Sequence, residues 1–131
     1  MLYERSGLLG LSGISGDMRM LQDSAEPGAI DAVEQFVHAM TKYVGAYAAV
    51  LGGLDALVVT GGIGEHSHQV RAALCRRLAS LGVVLDEDAN RSGDAVISAL
   101  EGSVSVRVIA TNEELVIARH TLALVDGAAN G

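Results

Sequence analysis

The chain has little of what staples a small protein together or aims it at a charged partner. Cys75 is the single cysteine among 131 residues, which excludes an intramolecular disulfide and a cysteine-based zinc site. That usage suits a reducing compartment, and the expected location is the cytoplasm. Tryptophan is absent, aromatics are 3% of the residues, and Pro27 is the only proline. No Pro-rich or Ser-rich linker, repeat or low-complexity tract divides the sequence, so residues 1–131 are expected to form one domain around one core. Lys42 is the only lysine, the arginines are dispersed apart from Arg76–Arg77, and the formal net charge is −7. A nucleic-acid surface needs clustered basic side chains, so no such partner is expected. No stretch approaches the roughly 18 apolar residues of a membrane span, and no membrane association is expected. The opening "MLYERSGLLGLSG" carries an acid, one base and a short apolar run, unlike a signal peptide.

What is present is small and apolar. Half of the residues are hydrophobic and the mean hydropathy is +0.35. Richness in Ala, Gly, Val and Leu is one account of this; the other is apolar surface that meets a second subunit or domain. Residues Ser6–Asp23 hold Gly7, Gly10, Gly13 and Gly16 and read as an irregular, Gly-rich connector. "AEPGA" then reads as a turn before a helix over Ile30–Leu51. Val33, Phe36, Val37, Met40, Val44, Tyr47 and Leu51 form its apolar stripe, and small residues on its other faces predict burial on more than one side. Gly52 and Gly53 end it.

"LDALVVT" (Leu54–Thr60) is continuous and β-branched, as in a central parallel strand covered on both faces. "HSHQVRAALCRRLASLG" predicts an amphipathic helix with Val70, Leu74, Leu78 and Leu81 inward and Gly82 as its stop. Val83–Leu85 reads as a short strand, "DEDANRSGD" as polar loop, "VSVRVIA" (Val104–Ala110) as a second strong strand, and "TNEELVIARHTLALV" as a closing helix. Strands alternating with helices at these spacings define an α/β chain with parallel strands. Two secure strands make a thin, incomplete sheet.

Three short strings sit where such a fold could do chemistry. In Thr60-Gly61-Gly62-Ile63-Gly64-Glu65 the glycines arrive where a strand stops and a helix starts. Such a turn can present backbone N–H groups to a phosphate, or it can simply be tight. The spacing matches neither G-x-G-x-x-G nor a Walker A loop, so a dinucleotide-binding fold of the Rossmann type is disfavoured. In Thr111-Asn112-Glu113-Glu114, a capping box accounts for Thr111 and Glu114. It leaves Glu113 as a carboxylate at the C-terminal edge of a parallel sheet, a position suited to Mg²⁺. In Ser15-Gly16-Asp17-Met18-Arg19, Asp17 could accept from ribose or base donors and Arg19 could meet a phosphate or stack on a ring, against an Asx-type turn with a solvated arginine. His66 and His68 are two apart and cannot share a helix face as a zinc pair, His38 and His120 stand alone in helices, and Cys75 reads as a small packed side chain.

In this order, "SGLLGLSGISGDMR", "DALVVTGGIGEHS", "RAALCRRLASLGVVLD" and "TNEELVIAR" resemble the C-terminal lobe of the acetate/propionate kinase family, within the actin, sugar-kinase and Hsp70 ATPase superfamily. The resemblance runs from about Ser6 to Leu124. It implies the C-terminal part of a ribonuclease H-like, actin-like ATPase domain: a few parallel strands flanked by helices in an incomplete sheet. It implies ATP and Mg²⁺ as cofactors and phosphoryl transfer from ATP to acetate or another short carboxylate. Asp17, Met18 and Arg19 would fall in the adenosine-contacting segment, Gly61, Gly62, Ile63, Gly64 and Glu65 in the loop beside the nucleotide, and Glu113 would bind magnesium. A homodimer through the Ile30–Leu51 helix is also implied. The family's N-terminal lobe, with its first phosphate loop, acetate pocket and transition-state Arg, Asp and His residues, has no counterpart in this sequence. No catalytic residue is therefore expected in the chain, and negligible turnover on its own. Two readings follow: half of a kinase site awaiting the rest, or a non-catalytic oligomerisation or regulatory module that kept the fold.

Overall fold

The computed structural model describes residues 7–111. Two short helices, α1 (Leu8–Ser12) and α2 (Met18–Gln22), precede the long α3 (Pro27–Leu51). Strand β1 (Ala56–Val59) leads into α4 (Gly61–His66) and α5 (His68–Arg77), and a 3₁₀ turn over Ala79–Leu81 follows. Helix α6 (Glu87–Ser92) and strand β2 (Ser105–Val108) complete the order.

The strands pair in parallel, with Ala56 opposite Ser105 and Val59 opposite Val108, as the alternation of strands with helices predicts. Beyond β2 the sheet goes on only as isolated antiparallel bridges, Val96 to Arg107 and Leu85 to Ser98. The strand expected over Val83–Leu85 is thus a single bridge at Leu85. No described segment pairs with the outer edge of β1. Val58 is 51% exposed and β1 alternates between exposed and half-buried residues, so the double coverage expected for this strand is not supplied by the described residues.

The main core lies between α5 and the sheet: Leu74, Cys75, Leu78, Val83, Ile97, Val104 and Val106 are all buried there. Cys75 packs as the small apolar side chain expected, and burial pushes its thiol up to about 11. Met18, Val37 and Val70 join α2, α3 and α5 in a second cluster. Leu21, Ala29 and Ala32 seat α2 against the start of α3 in a third.

Helix α3 begins with Pro27 in its first turn, where a missing N–H costs nothing, and ends at Gly52 in the left-handed region (φ 79°). Its stripe divides. Val33, Phe36, Met40 and Val44 pack on the two larger clusters, whereas Tyr47 and Leu51 are exposed. Burial of this helix on several sides is therefore not met by the described residues.

Two expectations are corrected. The supposed connector over Ser6–Asp23 contains α1, and it contains α2 because Asp17 Oδ1 accepts from the Arg19 N–H and starts a second helix. The polar run "DEDANRSGD" contains α6, because Asp86 Oδ1 accepts from the N–H groups of Asp88 and Ala89. In both, a local cap outweighs turn-forming composition. No described helix is long and apolar enough to cross a membrane. The closing helix expected from Thr111 onward, with Glu113 and Glu114, lies outside the described residues.

Candidate functional site

The three glycines after β1 have three different reasons to be glycine. Gly61 has φ +79°, a backbone that side chains with a Cβ rarely adopt. Gly64 faces the strand it has just left, and a Cβ there would stand 2.7 Å from Val59 Cγ1, so it permits close helix–strand contact. Gly62 has neither constraint: its φ is not positive and a Cβ would meet nothing within 4 Å. Packing among the described residues does not require Gly62.

What Gly62 does border is a cleft of about 220 Å³. One wall is Gly16, Asp17, Met18 and Arg19; the other is Gly62, Ile63, His66 and Ser67. Two of the three sequence strings are thus brought to one place. Ser67 braces the walls against each other, donating its hydroxyl to Gln22 Oε1 of α2 at 3.0 Å while accepting from the Val70 N–H.

Within the first wall the roles differ. Asp17 spends Oδ1 on the cap of α2, so the Asx-type turn is present, and its own N–H donates to Ser15 Oγ. The Met18 side chain is buried against Val37 and Val70, so what it offers the cleft is backbone. Arg19 is exposed.

The Glu65 carboxylate is held by the protein itself. Its Oε1 accepts from the Gly61 N–H at 2.9 Å, the Thr111 N–H at 2.8 Å and the Thr111 hydroxyl at 2.7 Å. The Thr111 hydroxyl, with the other two donors, holds the carboxyl below the ordinary carboxylate value. The Thr111 oxygen also accepts from Gly61 N–H and pairs with Thr60 Oγ1 at 3.1 Å. The capping box expected of Thr111 involves Glu114, which lies outside the described residues.

One residue that matters here is not among the expected site residues. Arg71 is 2% exposed. Its Nη1 donates to the carbonyls of Gly64 (2.8 Å) and Glu65 (2.7 Å), its Nε to Asn90 Oδ1 and its Nη2 to the Asn90 carbonyl, both at 2.7 Å. It thereby satisfies the last carbonyls of α4 and ties them to α6, while Asn90 Nδ2 reaches the His68 carbonyl. The available signal was positional: Arg71 shares a helix face with Leu74, Cys75 and Leu78, where an arginine must find partners. No group of three His, Cys, Asp or Glu side chains among the described residues is arranged to hold a metal.

A parallel strand pair, helices against it and a cleft just past the strand ends place the chain in the α/β class, as part of an actin-like ATPase fold. A model of the Acetokinase family matches residues 1–119, and the chain belongs to that family. It is 54% identical to the acetate kinase of Rhodopseudomonas palustris (strain TIE-1), over 97% of this chain and 32% of the relative. It is 49% identical to that of Symbiobacterium thermophilum, over 95% and 33%. Among solved structures, Porphyromonas gingivalis acetate kinase superposes with a TM-score of 0.81 at 38% identity, over 92% of this chain and 32% of that one. A propionate kinase from Francisella tularensis gives 0.78 at 38%, over 85% and 29%. The chain therefore spans about a third of the length of the curated relatives it matches.

Two substitution experiments check this geometry. Gly64→Ala should destabilise by about 1–3 kcal/mol, because the new methyl meets Val59, whereas Gly62→Ala should leave the melting temperature nearly unchanged. Equal effects in thermal denaturation would contradict the division of roles. Arg71→Ala should cost about 3 kcal/mol or more in chemical denaturation, since it strands buried carbonyls and Asn90. A loss under about 1 kcal/mol would show that the network is dispensable.

Proposed function

We propose that the chain is the nucleotide- and magnesium-binding C-terminal lobe of an acetate kinase-type phosphotransferase, a single partial domain over residues 1–131. The observation that carries this reading is the cleft in which Gly62, which no described residue would crowd if it bore a Cβ, faces the Gly16–Arg19 segment. A glycine kept where its own fold has room for a side chain suits a backbone that a ligand approaches closely. The family adds the ligand: the curated relatives are acetate kinases, enzymes of ATP and a carboxylate.

In this reading ATP lies against the cleft. Backbone at Gly16–Met18 and the exposed Arg19 border the nucleoside side, and Gly61, Gly62, Ile63 and Gly64 border the phosphates. Glu113 is the magnesium carboxylate, assigned by its place in "TNEEL". The full reaction moves the γ-phosphoryl of ATP onto a carboxylate oxygen of acetate, releasing ADP and acetyl phosphate. Such transfer depends on positioning and on cations at the equatorial phosphoryl oxygens. This lobe contributes positioning only. The clamp that neutralises the transferring group belongs to the rest of the enzyme, and its loss is worth roughly 10³-fold or more in rate. The cytoplasm remains the expected location.

Calorimetry of the purified chain with Mg-ATP tests the proposal. Measurable binding is expected, weakened by Gly62→Leu, which fills the cleft, and with its Mg²⁺ dependence reduced by Glu113→Gln. Acetyl phosphate formation should be undetectable. Absence of binding, or binding that ignores both variants, would leave the scaffold reading instead, and turnover by single-species material would refute the inactivity.

One observation favours an oligomeric role beside the nucleotide role. The C-terminal half of α3 exposes Tyr43, Tyr47, Val50 and Leu51, each by 65% or more. Aromatic and aliphatic surface of this kind suits a subunit contact. We assign it to a homodimer. Sedimentation at micromolar concentration should show a dimer that Tyr47→Glu dissociates; a monomeric parent chain would remove the assignment.

A further inference from the structure

The resemblance places Glu65 in the loop beside the nucleotide, yet its carboxylate oxygen is already held by three donors from the protein. We propose that Glu65 is a positioning residue: a strap between the ends of the two parallel strands that sets where the Gly61–Gly62 rim of the cleft stands, and not a group that touches the ligand. The strap itself rests on the hydrogen bonds alone. Its consequence for nucleotide affinity rests on the function proposed above.

The register of the sheet explains the need for it. Ser105 N–H donates to the Asp55 carbonyl and Ile109 N–H to the Val59 carbonyl, the regular two-residue step of a parallel ladder. The next donor in step is Thr111 N–H, and its partner in step would be the Gly61 carbonyl. At Gly61, however, the chain turns out of the sheet with φ +79° and starts α4. The ladder can advance no further, and two backbone N–H groups, Gly61 and Thr111, are left at its end. Both end on Glu65 Oε1. The side chain reaches back from the last turn of the very helix that interrupted the ladder and supplies the missing acceptor.

That helix has little stability of its own. It is six residues long and three of them are glycine, below the length at which a helix persists without tertiary support. Its two ends are held from opposite directions: the Glu65 carboxylate takes the Gly61 N–H at the start, and Arg71 takes the Gly64 and Glu65 carbonyls at the finish. An acceptor anion at the start and a donor cation at the finish both agree with the helix dipole. Arg71 anchors the far end to the buried core, while Glu65 ties the near end to β2. The position of Gly62 relative to the Gly16–Arg19 wall then depends on both.

Hydrogen exchange and calorimetry on three variants decide the matter. In Glu65→Ala the Gly61 and Thr111 amides should exchange about tenfold faster or more, while the Ile97 amide, bonded to Val106 on the far side of β2, is unchanged. Mg-ATP affinity should fall several-fold. Glu65→Gln keeps an acceptor oxygen in place and should restore slow exchange and most of the affinity. Adding Thr111→Val to Glu65→Ala should speed exchange at Gly61 further, because the Thr111 hydroxyl is a second acceptor for that amide. Unchanged exchange at Gly61 and Thr111 in Glu65→Ala would overturn the proposal. So would a Glu65→Gln variant as weak in binding as Glu65→Ala, the mark of a carboxylate that meets the ligand by its charge. If the parent chain binds no Mg-ATP, the nucleotide reading fails, and the exchange comparison between Ala and Gln still decides the strap.

Discussion

A buried guanidinium is the constraint on which the rest of the site depends. Among the described residues no carboxylate pairs with Arg71; it is made tolerable in the interior by the carbonyls of Gly64, Glu65 and Asn90 and the Asn90 side-chain oxygen. A buried charge without such acceptors is strongly unfavourable, so α4, α5 and α6 can adopt only arrangements that deliver them. The obligation runs both ways. A six-residue, Gly-rich helix leaves its last carbonyls without intrahelical partners, and Arg71 is where two of them go. Arg71 thereby fixes the far end of the glycine turn, and the cleft inherits that constraint.

The glycine turn shows how fold and ligand access share one short string. Gly61 lets the chain leave the sheet, and Gly64 lets α4 lie close to Val59. Gly62 does neither and faces the cleft. Ser67, hydrogen-bonded to Gln22, keeps the opposite wall at a set distance. The walls come from segments far apart in sequence, yet each reaches the cleft through a local device: an aspartate cap before α2, a left-handed glycine before α4.

Some described surfaces are covered by no described segment. The outer edge of β1 has no described partner, Val58 is half exposed, and the end of α3 presents tyrosines and aliphatics to solvent. A parallel strand buried on both faces is the ordinary case, and its sequence here, "LDALVV", is written for that case. Such exposure agrees with a chain that covers about a third of its relatives, in which other segments would cover these faces. It also accounts for the high hydropathy that composition alone left open.

Much of this was legible in the sequence because it rests on local rules. β-Branched apolar runs gave β1 and β2 and period-3.6 spacing gave α3 and α5; Gly52 ends α3 as expected, whereas α5 stops at Arg77 and Gly82 caps the 3₁₀ turn beyond it. The separated strings "SGDMR" and "TGGIGE" pointed to one family, and the cleft brings both together. Helices α2 and α6 are less legible, because each starts from a single Asp cap among Gly and polar residues. Three things were decided only by tertiary structure. Which glycine serves the backbone and which serves the cleft depends on Val59 standing 2.7 Å from where a Gly64 Cβ would be. Whether Glu65 is a ligand or a strap depends on where the parallel ladder runs out. Whether Arg71 is a solvated charge or a buried hub depends on Asn90 arriving from another helix. None of these is a property of a residue or its neighbours in sequence: each is a distance between segments, and hydrogen bonds act only where the folded chain makes that distance short.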